Sequence, residues 1–517
     1  MKTLETSDTR LLRLHPADDV AVARLRLRAG TQLQIEDRPR EIRVDIPAGH
    51  KVAIRAVADG DPVRKYGQII GFARCTITQG DWVHSHNLEA RPFPRLATPA
   101  DCPPWEPQPA EGVPTFAGYA RPDGRVGTRN YLGVLTTVNC SASTARAVRD
   151  RFPDETVRQS HPNVDGVVAF TFKGGCGMTA GEPQRLLQRV LAGLARHPNF
   201  GGVVILGLGC EVNQLRDLRE VCGLDRVPEG GVAPVCFEIQ TQGGLRKTVE
   251  AAAGAVERML PVADAHRRTP QPASALTLAL NCGGSDAHSG ITANPALGVA
   301  SDQLVRWGGT SVLAETPEIY GAEHLLLRRA VRPATADKLL SRIRWWEDYV
   351  GRFGAQIDNN PSPGNKEGGL TTIYEKSLGA VAKGGQAPLV EVLEYAEPIS
   401  ARGFCFMDTP GLDPVSMTGL VSGGCNIGVF TTGRGSVYGC KPAPCIKVAT
   451  HTPLYQWMAD DMDLNAGTIL DGTETVQEVG RRILEEILAV AGGRPTRSEL
   501  AGVGDEEFAP WLLGPTL

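Results

Sequence analysis

No stretch of this 517-residue sequence reaches about 18 consecutive apolar residues, the length a membrane-spanning helix needs, so no transmembrane span is expected. Blocks of like charge are missing too. Lys and Arg number 54 against 58 Asp and Glu, and the formal net charge of −4 is spread without tracts. That pattern argues against nucleic acid or an anionic membrane as a partner. The opening residues mix charges throughout and lack the apolar centre of a secretory leader, so a cytoplasmic location is expected. Twelve cysteines occur, yet no two stand in Cys-x-x-Cys spacing. A disulfide framework is not expected in a reducing compartment. What remains is a composition 42% hydrophobic and 22% charged, typical of a globular protein, in a chain long enough for several domains.

Glycine is plentiful, with 59 residues, many paired beside a polar residue: GGCG, GLGCE, CGGSD, SPGN, TTGRG. Such runs mark tight turns at strand ends, where backbone can approach a ligand. Residues 1–95 read as an all-β module of short strands ending in Gly80-Asp-Trp-Val-His-Ser-His-Asn87, and no internal repeat stands out. Residues 96–114 are proline-rich and read as a semi-rigid linker. From 115 to 268, apolar runs at 132–138, 166–172 and 202–208 alternate with helical stretches. This is the pattern of a parallel sheet covered on both faces. Residues 269–517 repeat the theme, with strands expected near 276–282, 387–393, 403–407 and 427–431 and a last helix over 474–492. The fold class is therefore α/β, a β module followed by two α/β domains with parallel sheets. Ligands of such sheets bind at the carboxyl ends of strands.

Cys176, Cys210 and Cys282 each follow an apolar run and are flanked by glycine. Three thiolates converging from strand ends can hold iron, as one ion or as a [4Fe-4S] cluster; the plain alternative is small residues packed in turns. His84 and His86 share one face if extended and can ligate metal or move protons, or are simply exposed polar residues. Asp286, Glu211 and Glu315 follow strand-like runs and can bind a hard cation or relay protons, or cap helices. The loop from Asn360 through Ser362 and Asn365 to Lys366 is rigid and rich in hydrogen-bonding groups. With Ser285, Thr432 and Arg434 it can clamp a polyhydroxylated acid, Arg434 suiting the carboxylate; a surface turn is the alternative. The Thr431-Thr-Gly-Arg-Gly435 run lacks the Lys-Ser/Thr ending of a Walker loop. Arg125, Arg129 and Asn130 gather just after the linker.

These stretches resemble the altronate/galactarate dehydratase family along nearly the whole chain. The matching segments are PDGRVGTRNYLGVLTTVNC, HPNVDGVV, GCG, VILGLGCEVNQ, CGGSDAHSGITANPALG, NPSPGNKEGG, FTTGRG and DLNAGTI. The first domain, with AGHKVAI and KYGQIIG, resembles the family's SAF-type β-clip module. The resemblance implies an iron-dependent hydro-lyase that turns a sugar acid into a 2-keto-3-deoxy acid. It implies Fe2+ or an oxygen-labile cluster as cofactor and leaves a homo-oligomer open. VHSHN and the segment from Glu315 to Glu323 look nearer the altronate branch. Phe172-Lys173-Gly174 before Cys176, and NCSAS, depart from the family pattern. The site residues it suggests are His84, His86, Asp286 and Lys366 as catalytic groups. It adds Arg125, Arg129, Asn130, Ser285, Asn360, Ser362, Asn365, Thr432 and Arg434 for substrate, and Cys176, Cys210, Cys282, His84 and His86 for metal. Galactarate, a pentonate or a sulfonated hydroxy acid are alternative substrates of the same chemistry, and a non-catalytic sugar-acid-binding protein is the reading from another class.

Overall fold

The computed structural model describes residues 8–36, 38–93, 112–227 and 229–514. The expected proline-rich linker falls almost entirely outside them. Residues 8–93 form small antiparallel sheets with strands of two to six residues. The sequence does hold a repeat here, which the strand pattern makes visible. An apolar residue, another four later and a glycine three beyond that recur as Ala23/Leu27/Gly30, Ile42/Ile46/Gly49, Ala53/Val57/Gly60 and Ala73/Ile77/Gly80. All eight apolar members are buried, and each glycine closes its turn at φ between 83° and 96°. The repeat is faint in the sequence because only the second of its three positions is large and apolar in every copy, the first being alanine in three of the four.

The middle domain carries a four-stranded parallel sheet, with Gly166–Phe170, Tyr131–Thr136, Phe200–Gly207 and Val235–Glu238 side by side in that order. Helices Ala142–Arg149 and Leu245–Asp264 cover one face. On the other face the helix Glu182–Ala195 packs against Asp413–Gly423 of the C-terminal domain. A Cβ on Gly193 would lie only 1.9 Å from the Ser422 carbonyl oxygen, so this packing requires glycine. The two domains therefore share one core. An antiparallel sheet of Val126–Gly127, Thr115–Ala120 and Thr269–Pro272 also ties the junction.

The C-terminal domain is built on seven parallel strands. Their order is Leu389–Leu393, Gly403–Met407, Thr310–Leu313, Thr277–Cys282, Ile427–Thr432, Cys445–Ala449, Leu464–Asn465. The chain lays Thr310–Leu313, Leu389–Leu393 and Gly403–Met407 on one side of Thr277–Cys282, the last inserted between the other two, then crosses to the other side at Ile427–Thr432. This reversal is a topological switch point, where the loops leaving adjacent strands diverge and open a crevice. The loops leaving it are Gly283 to Ser289 and Gly433 to Gly435. Helix Val476–Ala491, opened by a capping box between Thr475 and Glu478, packs on helix Ala293–Arg306. It is not the last helix as expected; Arg497–Leu500 follows it.

Candidate active site

The β module is docked on the C-terminal domain by charges removed from water. Lys51 and Lys65 each reach one oxygen of Glu375 at 2.8 Å, and all three side chains are at most 1% exposed. Lys51 also donates to the Gly369 carbonyl at 2.7 Å, and Thr371 donates to Glu375 from its amide and hydroxyl. Burial would raise the Glu375 carboxyl, but the two lysines hold it well below the usual carboxylate range. Burial lowers Lys51 to about 8, Glu375 opposing the shift. Two cations on one anion leave a surplus positive charge under the module.

His50 and His84 stack at 5.1 Å beside Trp82 and both address the 366–367 backbone. His84 Nε2 donates to the Lys366 carbonyl at 2.9 Å and His50 Nε2 to the Glu367 carbonyl at 3.1 Å. Carbonyls only accept, so both rings carry their proton on Nε2. His84 Nδ1 meets the Ser85 hydroxyl and His50 Nδ1 the Trp82 indole N–H. With both nitrogens engaged, His84 is no ligand in this arrangement; it pins the Asn360–Lys366 loop. His86 lies against Trp82 at 5.2 Å and is exposed.

Burial depresses both rings, His50 to about 4. The undocked His50 imidazole, near 6.5, takes up a proton that the docked one refuses. The stability it gives is complete above about pH 6.5 and is lost as pH falls toward 4. Docking of the module should weaken over that interval, with accelerated proteolytic release of residues 1–93 as the readout. Release that does not change between pH 7 and 4.5 would contradict this.

At the switch point, Asp286 accepts Nδ1–H of His288 at 3.2 Å, together with the Ser289 amide and hydroxyl and the Thr450 hydroxyl. Burial would raise Asp286, but His288 first, then His451 and Ser289, hold it below its ordinary range. This fixes the His288 tautomer. Nδ1 is protonated, and Nε2 keeps its lone pair with no hydrogen-bond partner among the described residues. A Cβ on Gly49 of the β module would stand 2.9 Å from Cε1 and 3.1 Å from Nε2 of this ring, so the module roofs it. His451 Nε2 donates to the Gly433 carbonyl at 3.1 Å, and its Nδ1 accepts the Leu454 amide, capping the helix Thr452–Trp457. Arg434 follows, 45% exposed, with Glu367 at 3.2 Å.

Deeper, beneath the same strand ends, Lys383 donates to Cys282 Sγ at 2.9 Å and Glu315 at 2.7 Å, and Lys376 to Glu318 at 2.7 Å and Asn360 at 2.8 Å. Asp413 joins this network. Burial pushes Glu315 up to about 8 and Asp413 to about 7. Three acids share two ammonium groups, so one acid stays protonated near neutrality. Glu315 also sits at φ 69°, in the left-handed region, and its Oε1 has no hydrogen-bond partner among the described residues. A non-glycine residue held there, in a buried network at strand ends, stores strain at the site.

Several expectations are corrected by these positions. Cys282 is buried with Lys383, Glu315 and Glu318, whereas Cys176 and Cys210 are exposed at the middle sheet, so the three do not form one group. Arg129 is buried and spans Glu499 with two bonds, and Asn130 bonds to Asn163, Ala263 and Asp165. Arg125 pairs with Asp123. Arg129 therefore ties the middle domain to the C-terminal one and Asn130 is scaffold of the middle domain, whereas Arg125 stays 46% exposed. Asn360 is taken up by Glu318 and Lys376; Ser362 and Asn365 form a capping box, and Asn365 holds the Ser285 carbonyl at 2.8 Å. Thr432 is buried and accepts the Gly435 amide. Glu211 is buried on Thr137 and the amides of Leu208 and Gly209. The structure brings together Ser285, Asp286, the Lys366 backbone, Arg434 and the His84 tip. It adds His288, His451, His50 and Thr450, which the sequence reading missed. Asp286-Ala-His288 carried a signal, an acid and an imidazole two residues apart in a glycine-rich turn. His451 carried none.

Comparison with known proteins agrees with this architecture domain by domain. Residues 9–91 match the Altronate/galactarate dehydratase SAF domain. Residues 118–264 match the D-galactarate dehydratase/Altronate hydrolase second domain, and 273–516 the D-galactarate/Altronate dehydratase C-terminal domain. The chain is 39% identical over 505 residues to a galactarate dehydratase (L-threo-forming) of Escherichia coli (strain K12), covering 95% of this chain and 94% of that protein. It is 36% identical over 489 residues to an altronate dehydratase of the same strain, covering 94% and 96%. An altronate dehydratase of Bacillus subtilis (strain 168) is 34% identical over 507 residues, covering 98% and 99%. The chain belongs to the altronate/galactarate dehydratase family.

Proposed function

We propose that this protein is a hydro-lyase that dehydrates a sugar acid, an altronate-like hexonate, to a 2-keto-3-deoxy acid, with iron as its metal. The observation that carries the reading is the carboxylate-held imidazole of Asp286 and His288 beside Arg434, at the switch point and under the β module. The proton α to a carboxylate is very weakly acidic, so a base needs a fixed lone pair and the developing charge needs a cation. His288 Nε2 takes the proton from C2 while Asp286 stabilises the imidazolium. Arg434 holds the carboxylate as charge moves onto it. The C2–C3 double bond forms, the C3–O bond breaks, and the hydroxyl leaves as water by taking the proton that His288 Nε2 received, which returns the imidazole to its starting state. The resulting enol becomes the ketone by protonation at C3. Removal of water from the roofed cleft strengthens each of these interactions.

The identities do not separate galactarate from altronate, the galactarate relative standing at 39% and the altronate relatives at 36% and 34%. The His84-Ser-His86 tip favours altronate. A panel of hexonates, galactarate, pentonates and a sulfonated hydroxy acid, read by 2-keto acid formation, distinguishes them; binding without turnover supports the non-catalytic alternative.

Iron would supply Lewis acidity toward a substrate oxygen. Two donor groups in the C-terminal domain lie close enough for an ion, Asp286/His288/His451 and Cys282/Glu315/Glu318. In the first, His451 is held by hydrogen bonds on both ring nitrogens, and in the second the ammonium groups of Lys383 and Lys376 already neutralise Cys282, Glu315 and Glu318. The exposed thiols of the middle domain fit better, being soft donors with no lysine hydrogen bond among the described residues.

Arg434→Lys keeps the charge and loses the planar fork. Its kcat/KM is expected to fall by about 10²-fold, ~2.7 kcal/mol of transition-state binding. Normal kinetics in a normally folded variant would remove Arg434 from the site.

A further inference from the structure

We propose that Cys140, Cys176 and Cys210 together form a three-thiolate site for an iron–sulfur cluster, at the carboxyl edge of the middle sheet. The proposal deepens the iron part of the proposed function and rests on that reading for the identity of the metal alone. The strands that end before these cysteines, Tyr131–Thr136, Gly166–Phe170 and Phe200–Gly207, are immediate parallel neighbours with Tyr131–Thr136 in the centre. Their loops are tied to one another. The Asn139 amide donates to the Gly174 carbonyl at 2.8 Å and its side chain to Phe172; the Val212 amide donates to the Cys176 carbonyl at 3.1 Å. A Cβ on Gly175 would stand 2.4 Å from the Thr137 carbonyl oxygen, so the Cys176 loop closes directly on the Cys140 loop.

All three thiols are free and exposed, whereas Cys282, Cys405, Cys425, Cys440 and Cys445 are buried. Gln240 donates to Cys210 Sγ at 3.4 Å, the kind of N–H···S contact that tunes a ligating sulfur. Spacing chooses between one ion and a cluster. Two thiolates on one tetrahedral ion at about 2.3 Å lie about 3.8 Å apart. Among the described residues, the donor groups that fall mutually within 4.8 Å are the two of the C-terminal domain. At least one pair of the three sulfurs therefore lies further apart than 4.8 Å, wider than one ion takes, and a cluster is the metal group that spreads three cysteines over three irons. Three protein ligands leave the fourth iron open.

The test uses the full chain, purified without oxygen, reconstituted with ferrous iron and sulfide, and desalted. The expected result is about four irons and four sulfides per chain, with visible charge-transfer absorption and an EPR signal on reduction. Cys140→Ser, Cys176→Ser and Cys210→Ser should each lose most of the bound iron and sulfide while keeping the native thermal midpoint. Cys75→Ser, an exposed cysteine elsewhere, should keep both. A single metal ion without sulfide, a disulfide between two of the three, or full cluster content in Cys140→Ser would overturn the assignment. Turnover without a cluster would sink this site and leave the dehydratase reading standing; a cluster without turnover on any sugar acid would do the reverse.

Discussion

His288→Gln should lower kcat by about 10³-fold, ~4 kcal/mol of barrier, with folding unchanged. The residue is 9% exposed and Asp286 holds its Nδ1–H, so the substitution removes the one nitrogen left to accept a proton and fills a similar volume. Asp286→Asn should have a comparable effect by a different route. The amide cannot stabilise an imidazolium, and it can present N–H where the carboxylate accepted, which reverses the tautomer. Because the two residues act as one unit, the double variant should lose hardly more than either single one. Additive losses, or near-wild-type kcat in His288→Gln, would mean that the base lies elsewhere in the cleft.

The second large effect concerns stability. Glu375→Ala leaves Lys51 and Lys65 fully buried with no carboxylate between them. Breaking a buried ion group in this way costs about 3–5 kcal/mol, because the remaining charges are neither solvated nor paired. Denaturant unfolding should lose cooperativity as the β module separates from the C-terminal domain. Lys51→Met combined with Glu375→Leu and Lys65→Met should recover much of the stability, since apolar side chains of similar volume need no counter-charge. Activity should not recover with it if the surplus positive charge under the module serves the acid substrate. An unchanged unfolding midpoint in Glu375→Ala would show that the module is held by its apolar contacts instead.

The architecture was largely legible in the sequence because continuous apolar runs followed by glycine give parallel strands wherever they occur. The strands at 277–282, 403–407 and 427–432 were read that way. Cys445–Ala449 escaped because Lys447 interrupts its run; that lysine is fully buried on the Tyr438 carbonyl and the Ser498 hydroxyl. The site was legible only in part. Motifs name residues near a ligand, yet position alone does not say which are spent on structure. Arg129 and Asn365 stand in glycine-rich, polar stretches as Arg434 does, but long-range partners such as Glu499 and Ser285 claim them. Cys282 shares the glycine-flanked context of Cys176 and Cys210, and only the separation into two sheets divides them. In the proposed cluster site Cys140 takes its place because its strand lies between theirs, an adjacency that spacing in the chain does not encode.

Turnover of the sugar-acid panel by wild-type protein and His288→Gln, run side by side in D2O, tests the central claim most directly. The account predicts a 2-keto-3-deoxy acid carrying deuterium at C3 from the wild type, and about 10³-fold less of it from the variant. No keto acid from any sugar acid, with iron and thiol present, or equal rates from the two proteins, would contradict it.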